Sequence, residues 1–275
     1  MPLYVKNGTY RVHSQYMPLT INKKIGETPL QAIQRSTKEK ATYAGRLDPM
    51  ATGKLLVLTG EETKQREKYL GLDKEYIIEI LLDAGTDTGD ILGMPTLSLQ
   101  ETKLSNNIVQ KALRIERGTH TREYPHFSSK PVNGKPLFTY ALAETLDTID
   151  IPTHLETIYY TELMDTRAVS SSYILDFIQK NLTNVPRSTL PEKALGADFR
   201  QDAVREAWNA ALLNTRRSFQ VLKVRVVCGS GTYMRTLASR IGETFGTKAI
   251  ALSIHRTKIG KCIRFFGIHM WTKLY

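Results

Sequence analysis

The chain has 275 residues, of which 41 % are hydrophobic, enough for one large domain or two small ones with a real core. It carries 38 Lys+Arg against 27 Asp+Glu, a formal charge of +11 with a pI near 9.5, which favours polyanionic partners through counterion release. The sequence has no apolar run of membrane-spanning length and no charged-then-apolar leader, which speaks against a membrane span or export and for a cytoplasmic protein. Cys228 and Cys262 have no partner motif and read as buried or idle thiols.

Residues 1–17 are polar and aromatic without a period and are expected to form an N-terminal arm. "TPLQAIQRSTK" predicts a helix over 29–38, with Thr28 as N-cap, Pro29 at the first helical position and Gln31 completing a capping box. The glycine-bounded turn "YAGRLDPMATG" follows, then a strand at 54–59, a helix at 61–70 and the β-branched strand "EYIIEILLDAG" at 75–85. Ser105 and Gly118 bracket a helix over 105–117, and "YPHFSSKPVNGKP" is a basic, turn-rich loop. A strand near 155–167 precedes helices at about 171–181 and 201–216, separated by a Pro/Gly loop at 184–199. "SFQVLKVRVVC" reads as a strand, "GTYMRTLASRIGETFG" as a helix closed by Gly246, and "AIALSIHRTKIGKCIRFF" as a strand. The order predicts an α+β domain around a mixed, largely antiparallel sheet, with the helices near 171–217 as an insertion.

The six histidines form no HxxxH pair, and the aspartates of "DAGTDTGD" lack the third-position ligand of an EF-hand, so Asp83, Asp87 and Asp90 read as a polar turn and no metal is expected. "GSGTYM" lacks the Lys-Ser/Thr of a P-loop and reads as a helix N-terminus. No histidine is placed to activate Cys228, which reads as a core thiol. Asp48 stands out by context: Pro49 restricts its backbone, and Gly45 and Gly53 permit close approach of something from outside. On composition alone it is still an ordinary turn residue. Arg235 falls at the edge of an apolar stripe formed by Met234, Leu237, Ala238, Ile241 and Phe245, and a half-buried guanidinium there needs an anion. Either a structural carboxylate or Asp48 could supply it. Tyr76, after Lys74, offers a ring for core packing or for stacking on a base.

Taken in order, these segments resemble the TruB family of tRNA pseudouridine-55 synthases. "YAGRLDPMATGKLLVLTGEETK" is similar to the family's aspartate motif, "DKEYIIEILLDAGTDTGD" to its Lys-Xaa-Tyr strand, "CGSGTYMRTLASRIGE" to its Gly-Thr-Tyr-Ile-Arg-Thr segment, and "SIHRTKIG" to its Leu-Arg-Arg-Thr strand. The resemblance implies the pseudouridine synthase catalytic fold over 18–275 and a reaction without cofactors. Asp48 would attack the target uridine, Tyr76 would stack on the base and assist loss of the C5 proton, and Arg235 would pair with the aspartate. Substrate contacts would fall to Tyr43, Gly45, Arg46, Lys74, Lys130, Lys135, Tyr233, Ile254 and Arg256. The partner would be the T-arm and elbow of tRNA, with no membrane and no obligatory protein partner. Tyr43 stands where the family carries a histidine, "KKIGETP" departs from its N-terminal Lys-Pro-Xaa-Gly signature, and Phe127 replaces a tyrosine of its "Tyr-Ser-Ala" loop. Few residues follow Arg256, so no C-terminal PUA domain is expected. Arg187, Lys193, Arg200, Arg205, Arg216 and Arg217 of the insertion would either contact RNA in its place or lie on a solvated helical hairpin. "GRLD" also resembles the RluA family's motif, which leaves a synthase acting on ribosomal RNA as an alternative, alongside a non-catalytic tRNA chaperone.

Overall fold

The computed structural model of the chain describes residues 18–185, 200–265 and 268–275. The expected arm at 1–17, most of the 184–199 loop, and with it Arg187 and Lys193, lie outside the described residues. The first half of the chain supplies β1 (Leu19–Lys23), α1 (Pro29–Ser36), β2 (Ala41–Ala44), β3 (Thr52–Thr59), α2 (Arg66–Leu70), β4 (Asp73–Leu82), β5 (Ala84–Thr86), β6 (Pro95–Leu97), α3 (Asn106–Ile115) and β7 (Gly118–Glu123). The second half supplies β8 (Pro131–Val132), β9 (Lys135–Pro136), α4 (Leu137–Leu142), β10 (Thr153–Ser170), α5 (Ser171–Asn184), α6 (Gln201–Leu212), β11 (Ser218–Cys228), α7 (Met234–Thr244), β12 (Ala249–Phe265) and β13 (Ile268–Leu274).

Among the described residues a nine-stranded sheet runs β1-β3-β12-β4-β11-β10-β7, with β2 also on β3 and β13 also on β12. Its pairings are antiparallel except one: β12 runs parallel to β3 over His255↔Thr52 and Arg256↔Gly53. The expected α+β fold with a mixed, largely antiparallel sheet is therefore the observed one.

Alternation along the central strands decides which face is wet. On β4, Tyr76, Ile78 and Ile80 turn into the main core, where α3, α5, α6 and α7 contribute Val109, Ile178, Trp208 and Leu237. Glu75 and Glu79 turn to the other face and pair with Arg225 at 3.0 Å, Lys258 at 3.0 Å and Arg167 at 2.7 Å. One apolar and one charged face is the usual economy of an antiparallel sheet. Helices α5 and α6, in the segment expected as an insertion, pack on the apolar side: Ile174, Ile178, Leu182, Val204 and Trp208 are fully buried and join the core.

The capping box forms as the sequence predicts, with the Gln31 N–H donating to Thr28 Oγ1 at 3.2 Å and the Thr28 N–H to Gln31 Oε1 at 2.8 Å. The expected helix at 61–70 is instead a 3₁₀ segment, Gly60–Gln65, followed by the single turn of α2, and Thr63 Oγ1 donates back to the Gly60 carbonyl at 2.7 Å. Strands β1, β2, β7 and β13 have no counterpart in the sequence reading. Strand β7 is almost wholly exposed, so no apolar alternation marks it. Among the described residues, no helix is long and apolar enough to cross a membrane.

Candidate active site

Asp48 opens a tight turn in the loop between β2 and β3, closed by the Ala51 N–H donating to the Asp48 carbonyl at 3.0 Å. Proline at the second turn position suits this geometry because its φ is already set. Two buried cations grip the loop through its carbonyls. On one side Lys23 of β1, 2 % exposed, donates from Nζ to the carbonyls of Lys24 and Pro49 at 3.1 Å and of Ala51 at 2.6 Å. On the other, Arg256 of β12 donates from Nε to the Lys54 carbonyl at 2.7 Å, from Nη2 to that of Gly45 at 2.9 Å and from Nη1 to that of Arg46 at 3.4 Å. Burial pulls the Lys23 ammonium down to about 8, with the Asp48 carboxylate opposing.

Gly53 shows why this end of the loop excludes a side chain. Its φ is +98°, and a Cβ there would lie 2.3 Å from the Arg256 carbonyl oxygen. The close approach foreseen for Gly53 is thus by the chain's own β12, a correction to the expectation of something from outside. Gly45, by contrast, does line a cavity.

Arg235, second residue of α7, is 4 % exposed, deeper than its edge position in the stripe implies. Its fork reaches three other segments: Nε donates to Asp48 Oδ2 at 2.8 Å, Nη1 to the Thr88 carbonyl at 2.6 Å and Nη2 to the Phe127 carbonyl at 3.0 Å. A second carboxylate, buried Asp90, stands 3.7 Å from Nε. Burial pushes the Asp90 carboxyl up, Arg235 opposes that, and Thr88 Oγ1 and the Leu92 N–H donate to its Oδ1 at 2.7 and 2.9 Å. Burial works against the Arg235 guanidinium, but Asp48 and then Asp90 more than offset it and raise its pKa. Asp48 keeps Oδ1 without a hydrogen bond among the described residues, on a side chain 34 % exposed.

That carboxylate lines a cavity of about 900 Å³ together with Tyr43, Tyr76, Tyr124, Tyr233 and Arg235. Of the other residues expected at the substrate, Gly45, Arg46, Lys74, Lys130, Ile254 and Arg256 also line it. Lys135 does not: it is exposed on the β8–β9 hairpin. Lys74 and Arg256 reach the wall with their nitrogens already engaged. Lys74 Nζ donates to the carbonyls of Leu70 and Leu72 and to Ser230 Oγ, and burial lowers it to about 8, so both cations brace the wall. Arg46 is exposed, and its Nη1 donates to Ser129 Oγ at 3.0 Å across the cavity mouth. Lys130 Nζ sits 4.7 Å over the Tyr124 ring, which itself stacks on His154 at 4.3 Å. Burial pushes Tyr233 up to about 12 and also raises Tyr76, against which the Arg256 guanidinium works.

Lys23, Thr88, Asp90, Tyr124 and Phe127 are among the site residues that the sequence reading left out. Two of them act through backbone carbonyls, which no side-chain pattern records. For Lys23 and Asp90 the usable signal was a charge flanked by apolar strand or turn residues, "LTINK" and "GDIL". Cys228 is the core thiol expected, its ionisation pushed up to about 12 by burial.

Residues 34–177, just over half of the chain, match the family model of the TruB family pseudouridylate synthase, N-terminal domain. The chain belongs to the TruB family. It is 30 % identical over 223 residues to tRNA pseudouridine synthase B of Francisella tularensis subsp. tularensis, covering 81 % of this chain and 56 % of that protein. It is 30 % identical over 228 residues to the protein of the same name from Xanthomonas campestris pv. campestris, covering 82 % and 57 %. It thus spans about half the length of the curated relatives it matches. A chain in the crystal structure of a Cbf5–Nop10–Gar1 complex shares the fold, with a TM-score of 0.52 at 17 % identity, over 90 % of this chain and 50 % of that one. Asp48 and Tyr76 lie inside the TruB-family match, whereas Arg235 lies beyond it and is brought to Asp48 by the fold.

Proposed function

We propose that this TruB-family chain isomerises uridine 55 in the T-loop of tRNA to pseudouridine, with Asp48 as nucleophile. One observation carries the reading: a carboxylate bonded through Oδ2 to a buried guanidinium at 2.8 Å, its other oxygen unengaged by the described residues, in a cavity also lined by Tyr76. A cavity of about 900 Å³ has room for a nucleotide turned out of its stack. Base flipping costs a few kcal/mol, and stacking on an aromatic ring returns about 1–3 kcal/mol, so a ring in the wall is of the right order to hold the base.

In the reaction the base leaves the sugar carbon, turns, and is rejoined through carbon 5. The C5 proton is lost and the freed ring nitrogen takes one up, so atoms balance without a cofactor. The three charged partners have separate work: Arg235 fixes the carboxylate's direction, and Lys23 and Arg256 fix the loop that carries it. Burial pushes the Tyr76 phenol up, away from the phenolate that proton removal would call for, which supports stacking more than proton removal. The net charge of +11 suits the phosphates of a folded RNA arm. The protein acts in the cytoplasm and needs no obligatory protein partner.

The test is to incubate unmodified tRNA with wild type and with Asp48→Asn, then map pseudouridine by nucleotide. The expected result is product at the T-loop uridine from wild type alone. Product there from both proteins removes Asp48 as nucleophile, and product only at other positions of the tRNA removes the T-loop uridine as target.

A further inference from the structure

The insertion touches the cavity at one described residue. Of its described basic residues, Arg217 donates to the carbonyls of Ser98 and Asp83 at 2.7 and 3.2 Å, Arg205 to Gln179 Oε1, and Arg216 is exposed. Arg200 alone among these four lines the cavity. It immediately precedes α6, whose Val204, Trp208 and Leu212 are locked in the core, and its own φ is +53°, a left-handed conformation that a residue with a Cβ adopts only when its surroundings hold it there.

Its side chain joins two segments that are remote in sequence. Nη2 donates to Asp87 Oδ2 at 2.7 Å, and the guanidinium carbon lies 5.1 Å from the centre of the Phe127 ring. Asp87 Oδ1 in turn accepts from the Met94 N–H at 2.8 Å, fixing the turn in which it sits. Asp87 precedes Thr88, and the carbonyls of Thr88 and Phe127 are the ones that hold the Nη1 and Nη2 of Arg235. Arg200 therefore holds the residue next to one backbone acceptor of Arg235 and the side chain of the residue that carries the other.

We infer that Arg200 is a positioning residue of the active site, through which the helical insertion holds the two backbone segments that orient Arg235 and, through it, Asp48. The role of Asp48 in this statement rests on the proposed uridine isomerisation. The bracing of Arg235 does not depend on it.

Three measurements on the full chain test it. Single-turnover pseudouridine formation at saturating tRNA reads positioning, filter binding of tRNA reads affinity, and proton exchange of the Arg235 Nε–H by NMR reads the brace without any substrate. Arg200→Ala is expected to slow the single-turnover rate roughly tenfold, since small displacements of a reacting group are costly, and to speed the Nε–H exchange, with tRNA affinity within about twofold of wild type. Arg200→Lys, which keeps the ion pair to Asp87 but not the planar contact with Phe127, should recover part of both losses. Asp87→Asn should reproduce the faster exchange if Arg200→Ala fails to fold. Unchanged Nε–H exchange in folded Arg200→Ala overturns the inference, as does a loss of affinity with the saturated rate intact, which would make Arg200 an RNA contact. A wild-type protein that makes no pseudouridine but whose Nε–H exchange responds to Arg200→Ala would refute the isomerase reading and leave the brace standing.

Discussion

Replacing Lys23 with methionine keeps the length of the side chain and removes the ammonium that holds the Asp48 loop. Lowering that ammonium from 10.5 to about 8 costs its charged form about 3.4 kcal/mol, at 1.36 kcal/mol per pH unit. Against this stands the Ala51 carbonyl, which loses its donor, at about 1–3 kcal/mol when buried; the Pro49 and Lys24 carbonyls retain the Gly26 N–H at 3.0 Å and the Glu27 N–H at 3.3 Å. The two contributions partly offset each other at neutral pH, which leaves the methionine variant more stable by about 0.4–2.4 kcal/mol, and the pH dependence is the sharper signal. Between pH 8 and 10.5 the unfolded chain binds a proton that folded Lys23 has released, so stability rises with pH there, and Lys74, lowered to about 8 as well, behaves the same way. From pH 7.5 to 9 each lysine should add about 1.2 kcal/mol, while Cys228, raised from 9.0 to about 12, already subtracts as pH approaches 9 and takes back about 0.4 kcal/mol over the same range. Wild type should therefore gain about 2 kcal/mol over this range and Lys23→Met about 0.8 kcal/mol. Urea unfolding followed by circular dichroism at constant ionic strength measures both. Equal gains in the two proteins would refute a buried, charged Lys23 at the loop.

Gly53→Ala should lose about 2–4 kcal/mol of stability, because a side chain there meets the Arg256 backbone at a positive φ. A change under about 1 kcal/mol in the same urea assay would mean that the parallel contact of β3 with β12 is loose. Trp208→Ala should lose about 3–5 kcal/mol, whereas Trp208→Phe, which also removes an indole N–H with no partner among the described residues, should lose far less. Two small and similar losses would detach α6 from the core.

The parts of this molecule that the sequence discloses are those where one residue's surroundings are written beside it. Thr28, Pro29 and Gln31 spell out a helix start locally, and it forms. The stripe around Arg235 shows that a guanidinium will be buried, which obliges an anion, and Asp48 supplies it. The family resemblance makes Lys74 and Arg256 substrate contacts, and nothing local in the sequence says that their nitrogens are spent within the protein. Their nitrogens are taken by backbone groups, and in the case of Arg256 these lie about two hundred residues away in sequence. Lys135 belongs to a turn whose residues specify a hairpin but not the direction in which it stands. The edge strands β7 and β13 carry few buried side chains, and their pairing partners rather than their own composition make them strands.

The support of the Asp48 turn has an implication for biosynthesis. Apart from Lys23, its fasteners are Arg235 and Arg256, which lie 187 and about two hundred positions downstream. A ribosome that has translated the turn, and even the whole of β3 and β4, has not yet made either of them. The aspartate must wait through most of elongation with its loop held from one side only, and its support is complete only once β12 lies between β3 and β4. Premature termination before Arg256 would leave a chain whose Asp48 turn has only Lys23 and Arg235 to hold it.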